Sequence, residues 1–292
     1  MKLTIALVLS IAAFAHLAAG QEAAAKNPFP AAMESFQIPS DGVGLNALMY
    51  VAEGQGPHPV VVLLHGFPGN ERNLDLAQDI RRAGWNVLYF NYRGSWGTKG
   101  DFSFSNGIAD VAAAITYLRR PESVKSLRVD SKRVVLIGHS MGGFMAVQAA
   151  AADPTVTAAG LISAADFGSP VPTPRTKESD EAFIPRLAER LSRSGLAPLA
   201  GCTAEGLARE IVENSAEWKF AARADALRSR PVFVFTSDDG LASMGDTFAS
   251  ALKKAGSSRV TTQHFTTDHS YSDKRLELSA AVRSWLKDLA AK

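Results

Sequence analysis

Gly138-His139-Ser140-Met141-Gly142 stands between the apolar run 134–137 and the alanine-rich run that begins at Phe144. A serine in this setting has a specific chemical use. On a tight strand-to-helix turn it must adopt a strained backbone, which small flanking residues make sterically possible. Gly138 and Gly142 supply that room. The turn lifts the Ser140 hydroxyl clear of the sheet edge, and the amides at the helix start, that of Met141 first, point toward an oxyanion forming beside it. The chemistry implied is nucleophilic attack on an acyl group. Residues 133–137 read as the strand before the motif and 143–152 as the helix after it, the context the motif requires.

A serine hydroxyl is a weak nucleophile at neutral pH and needs a base within reach, for which histidine has the suitable pKa. Of the 6 histidines, His16 falls in the N-terminal apolar segment, His58 lies between two prolines, and His65 and His139 belong to tight motifs. That leaves His264 and His269. His264 falls inside an apparent strand, whereas His269 follows it in the turn Thr267-Asp268-His269-Ser270, where a side chain can lean over the carboxyl edge of a sheet. His269 is the expected base. A carboxylate that fixes the imidazole tautomer should come from the end of a strand between serine and histidine. Asp238 and Asp239 both qualify, following the apparent strand 231–236 and preceding Gly240. Asp239 is preferred, leaving Asp238 to cap the turn or face water. Asp268 sits directly beside the histidine, where triad geometry is hard to reach. Phe67, in His65-Gly66-Phe67-Pro68-Gly69 directly after another strand, is expected to supply a second oxyanion donor beside Met141. Each such donor contributes roughly 2.7–4 kcal/mol of transition-state stabilisation.

These residues must be placed by larger elements. Short β-rich runs alternate with helical patterns, the signature of an α/β sheet with crossover helices. Runs 35–38 and 45–52, separated by the turn signal Pro39-Ser40-Asp41-Gly42, predict an antiparallel opening hairpin. Runs 59–64, 86–91, 133–137, 158–162, 231–236 and 259–265 are mostly apolar, as strands buried on both faces should be. Helical periodicity is clearest over 73–83, 107–119, 246–255 and 275–289. The interval 166–215 breaks the rhythm, being rich in proline, glycine and charge. It predicts an insertion that caps the substrate site, with short helices over 183–191 and 206–212.

With 292 residues, 46% of them hydrophobic, and a net charge of +2, the chain can bury one substantial core and lacks polyelectrolyte character, so nucleic acid is not an expected partner. Lys2, the apolar stretch 3–17 and the small residues Ala18-Ala19-Gly20 read as a secretory signal peptide, residues 1–20, cleaved after Gly20. The expected location is therefore secreted or periplasmic. The segment is too short and alanine-rich for a comfortable membrane span, and no stable membrane anchor is expected. Cys202 is the only cysteine, so no internal disulfide or cysteine-based metal site can form.

Taken together, the two glycine-rich motifs, the post-strand Asp238-Asp239 and His269 resemble the α/β-hydrolase superfamily in its usual chain order, across nearly all of residues 21–292. The resemblance implies a mostly parallel eight-stranded sheet with helices on both faces, a Ser-His-Asp triad, an acyl-enzyme intermediate and no cofactor. It places the oxyanion hole at Phe67 and Met141. Asn91-Tyr92-Arg93-Gly94-Ser95-Trp96-Gly97 resembles a loop of dienelactone-hydrolase-like and prolyl-oligopeptidase-like members, where Arg93 either orients the loop or is solvated. The chain departs from the familiar pattern with Asp268-His269-Ser270 around the base and Thr236 before the acid, and it lacks an N-terminal propeller. The expected activity is hydrolysis of a small-molecule carboxylic ester through Ser140. Cleavage of a short peptide or amide is the alternative, for which Arg93 or acidic residues of the insertion would anchor a terminus. A non-catalytic binding module is the third reading, which the complete triad opposes.

Overall fold

The computed structural model describes residues 27–290. The expected signal peptide, residues 1–20, lies outside them. The described residues include eight strands: β1 Ala32–Ser40, β2 Val43–Val51, β3 His58–Leu64, β4 Asn86–Phe90, β5 Val129–His139, β6 Ala158–Ile162, β7 Val232–Ser237 and β8 Val260–Phe265. They form one sheet in the order β1-β2-β4-β3-β5-β6-β7-β8. β1 and β2 make the expected hairpin, β2 also runs antiparallel to β4, and every later pairing is parallel. The expected strands are present with ends displaced by a few residues; β5 starts earlier than the apolar run suggested because Val129 pairs with His58 across a bulge.

Helices α1 Leu74–Arg82, α2 Phe104–Leu118, α3 Pro121–Ser126, α4 Met141–Ala152, α5 Lys177–Arg193, α6 Ala204–Trp218, α7 Phe220–Leu227, α8 Ala242–Lys254 and α9 Arg275–Ala290 fill the connections. Alternation along the strands sorts the interior into two layers. Val61 and Leu63 of β3 join Leu76 and Ile80 of α1 and Val282 and Leu286 of α9 on one face. Val60, Val62 and Leu64 join Val111 of α2, Phe144 and Val147 of α4 and Leu252 of α8 on the other. Helix α4 is buried along ten of its twelve residues, so it carries no polar face. β3 lies between β4 and β5, and the loops leaving its carboxyl end and that of β5 face each other across the crevice where open α/β sheets hold ligands.

Between β6 and β7 the insertion is more regular than its composition implied. The runs 183–191 and 206–212 are the middles of 17- and 15-residue helices, α5 and α6. The reason is capping. The Thr176 hydroxyl and Ser179 form a reciprocal capping box, and the Thr203 hydroxyl accepts the Gly206 N–H at 3.0 Å. Pro185 lies inside α5 without ending it. The segment after α5 is tied to the loop after β4: Trp96 N–H donates to Pro198 O at 2.9 Å and Ala200 N–H to Gly94 O at 2.7 Å. Glu210 of α6 accepts from the Phe104 and Ser105 amides at 3.0 and 2.8 Å, capping α2.

Arg93 organises that same loop. Its amide and Nε both donate to Asp110 of α2 at 2.7 Å, and its Nη1 donates to Asp41 at 2.8 Å. Asp110, with no exposed side-chain surface, also accepts the Ser40 hydroxyl at 2.7 Å. Burial raises the Asp110 pKa, against the pull of the Arg93 and Ser40 contacts. Arg93 is thus a structural residue with its donors spent internally, and it does not serve as an anchor for a peptide terminus. Breaking a buried ion pair by removing one partner costs about 3–5 kcal/mol. Arg93→Ala should lose stability on that scale, read as a lower urea midpoint at unchanged m-value. A loss near zero would mean that water replaces the guanidinium.

Candidate active site

Ser140 sits at the junction of β5 and α4 with φ 56° and ψ −120°, a conformation that side-chain-bearing residues rarely adopt. The glycines around it are sterically required. A Cβ on Gly138 would overlap the Gly142 carbonyl, and one on Gly142 would overlap the Leu64 carbonyl at the end of β3. Gly143 is equally constrained, against Ala164, a requirement the five-residue pattern did not reveal.

His269 lies in the loop after β8, and its Nδ1–H donates to Asp239 Oδ2 at 2.7 Å. Asp239 follows β7, and its side chain is 3% exposed. Burial pushes its pKa up, but the hydrogen bonds from His269, the Leu241 amide at 2.8 Å and the Ser163 hydroxyl outweigh that and hold it below the ordinary carboxylate value. Asp238 turns the other way, pairing at 3.1 Å with His264 on an exposed edge. The two acids and two histidines that sequence left in competition therefore sort into an inner and an outer pair. Among the described residues the Ser140 hydroxyl makes no hydrogen bond to His269, but both border one cleft of about 280 Å³ together with Phe67, His139 and Ser194. Such contacts often tighten only with substrate bound.

Phe67 lies in the loop after β3 and Met141 opens α4, directly after Ser140. Gly66 approaches so closely that a Cβ there would lie 3.0 Å from Ser140 Cβ. The amides of Phe67 and Met141 donate to no protein acceptor among the described residues. Ser140 and Phe67 also border a second cavity of about 200 Å³, walled mainly by Phe167, Phe183, Leu187, Leu191 and Met244.

Four supporting side chains were not singled out from sequence. His139 is 3% exposed, has its ring centroid 4.6 Å from that of His269 at a 43° tilt, and donates from Nε2 to the His269 carbonyl at 2.7 Å. Burial, reinforced by the neighbouring His269 charge, lowers its pKa to about 3, so it stays neutral. Behind Asp239, the Ser163 hydroxyl is 2.8 Å from that of Ser237 and 3.1 Å from that of fully buried Tyr271. Ser163 and Ser237 could have been found as polar residues ending apolar strands.

The profile of the alpha/beta hydrolase family matches residues 61–291. An uncharacterised 31.7 kDa protein of Escherichia coli, from the traX-finO intergenic region, is 30% identical over 176 residues, or 56% of this chain. The chain spans 58% of the length of the curated relatives it matches. Among solved structures, a hyperthermophilic esterase from Pyrobaculum calidifontis is similar at TM-score 0.63 and 20% identity, over 89% of this chain and 87% of that one. A fungal esterase from Rhizomucor miehei is similar at TM-score 0.66 and 20% identity, over 90% and 85%.

Asp239→Asn should lower turnover by about four orders of magnitude, as loss of the tautomer-fixing acid does elsewhere, while Asp238→Asn leaves most of it. Because the folded-state pKa of Asp239 is depressed, its contribution to stability is fully present above about pH 4 and fades as pH falls through the lower folded value. Asp239→Asn should therefore flatten the stability profile in that acid range. His139→Leu should reduce kcat about 10- to 100-fold at nearly constant KM, corresponding to about 1–3 kcal/mol for one buried hydrogen bond. His139→Gln, which keeps a donor, should recover part of the loss; equal damage from both would show that shape, not the hydrogen bond, matters.

Proposed function

The chain belongs to the alpha/beta hydrolase family, and from that premise we propose that it is a serine hydrolase of small-molecule carboxylic esters. The observation that carries this reading is the 2.7 Å contact between His269 and buried Asp239, borne on the cleft that also exposes a conformationally strained Ser140. With Nδ1–H held by Asp239, Nε2 of His269 is left as the acceptor. It takes the Ser140 proton as Oγ bonds to the ester carbonyl carbon, and the carbonyl π pair moves onto oxygen. The amides of Phe67 and Met141 are placed to stabilise that oxyanion. Collapse expels the alkoxide, which His269 protonates, and water attacks the acyl-enzyme by the same route in reverse order of proton transfers.

The apolar cavity beside Ser140 favours an ester with a hydrocarbon acyl part over a peptide. The solved neighbours described as esterases point the same way. In this reading α5 and α6 cap the acyl site, and the N-terminal segment exports the enzyme to the periplasm or beyond.

A fluorophosphonate probe on the purified protein tests the reading directly. The adduct should map to Ser140, be absent in Ser140→Ala, and accompany hydrolysis of short p-nitrophenyl esters that falls by four to six orders of magnitude in the same variant. Ester hydrolysis that survives Ser140→Ala would place the nucleophile elsewhere. A folded protein that neither labels nor hydrolyses esters would instead be a binding module on a hydrolase scaffold.

A further inference from the structure

Ser140 borders two cavities, and their linings assign them different halves of an ester. The leaving alcohol must receive its proton from His269, and His269 borders the 280 Å³ cleft. The 200 Å³ cavity has no His269 in its wall, so the acyl part belongs there. One face of α5 closes it, with Phe183, Leu187, Arg190 and Leu191, and Ser194 just beyond the helix, following the spacing of a single stripe.

Two charged side chains stand in that otherwise largely apolar wall. Asp166 is already committed: its carboxylate accepts the amides of Gly168, Ser169 and Phe220 at 3.0–3.1 Å and the Ser169 hydroxyl at 2.5 Å. Arg190 is not. Of the three arginines on α5, Arg186 donates to the Ala182 carbonyl and Arg193 pairs with Glu189. Arg190, exposed at the edge of the cavity, is the one of the three whose guanidinium makes no hydrogen bond or ion pair among the described residues and the one that borders the cavity. A cation in the last helical turn also complements the helix dipole, but that role does not call for a place on the cavity-facing stripe.

On the reading of Ser140 as the acylated nucleophile, we propose that Arg190 is a specificity-determining residue that binds a carboxylate carried by the acyl chain. The favoured substrates are monoesters of aliphatic dicarboxylic acids, whose methylene chain lies against the Phe and Leu side chains. A planar guanidinium meets a carboxylate through two parallel hydrogen bonds, which gives both strength and a preferred chain length.

The test compares p-nitrophenyl monoesters of the C5 to C8 dicarboxylic acids with neutral straight-chain esters of equal length, as the ratio of kcat/KM values. The wild-type ratio should peak at one chain length and shrink in 0.5 M NaCl. Arg190→Gln should lower the peak ratio at least tenfold, Arg190→Glu should lower it further, and Arg190→Lys should keep part of it. Turnover of neutral esters with a ratio unchanged in Arg190→Gln overturns the role of Arg190 and leaves the ester reading standing. Failure of the wild type to hydrolyse either series overturns the ester reading, and this inference with it.

Discussion

The backbone of the turn after β5 is pressed against the end of β3, and the rest of the site depends on that approach. Gly142 meets the Leu64 carbonyl, Gly138 meets Gly142, and Gly143 meets Ala164, each closer than a Cβ would allow. Only with those three side chains absent can α4 begin immediately after the strand and bury itself behind the central strands. Ser140 takes the strain at φ 56°, a cost that the surrounding core must over-determine. The same approach brings Gly66 beside Ser140, so Phe67 and Ser140 line one small cleft.

Charge is partitioned around that volume by burial. His65 and His139 are both nearly inaccessible, and burial lowers their pKa values to about 4 and about 3. They are neutral hydrogen-bonding groups, so neither adds a positive charge beside His269. Asp239 keeps its negative charge because the His269, Leu241 and Ser163 donors compensate its desolvation. The outer Asp238–His264 pair, more than a third exposed on both sides, has the same chemical composition but is screened by water. Location on the loop, one residue apart, decides which acid can hold an imidazole in a fixed tautomer.

The insertion adds the part of the site that the sheet cannot. Both cavities border Ser194 just beyond α5, and the apolar one takes most of its remaining wall from α5, α6 and the segment after β6. Backbone contacts of 198–200 with the loop after β4, and the Glu210 cap on α2, tie this layer to elements far from the nucleophile. Arg93 and Asp110 hold that loop in turn. The wall of the cavity beside Ser140 is thereby built largely by a segment anchored away from the elbow.

Local patterns were enough to specify much of this. Apolar runs of strand length, a glycine-flanked serine, a glycine-proline loop after a strand, and a histidine beyond the last strand are all written in contiguous residues, because β pairing on two buried faces and a tight turn impose local composition. Sequence left Asp238 and Asp239 in competition, left Arg93 between loop anchor and solvated charge, and read only the middles of α5 and α6. It passed over His139, whose nearest partner lies 130 residues away. Those questions turn on which side chain is withdrawn from water and what meets it there. Burial and hydrogen-bond partnership arise between segments distant in the chain, so only the tertiary structure could decide them.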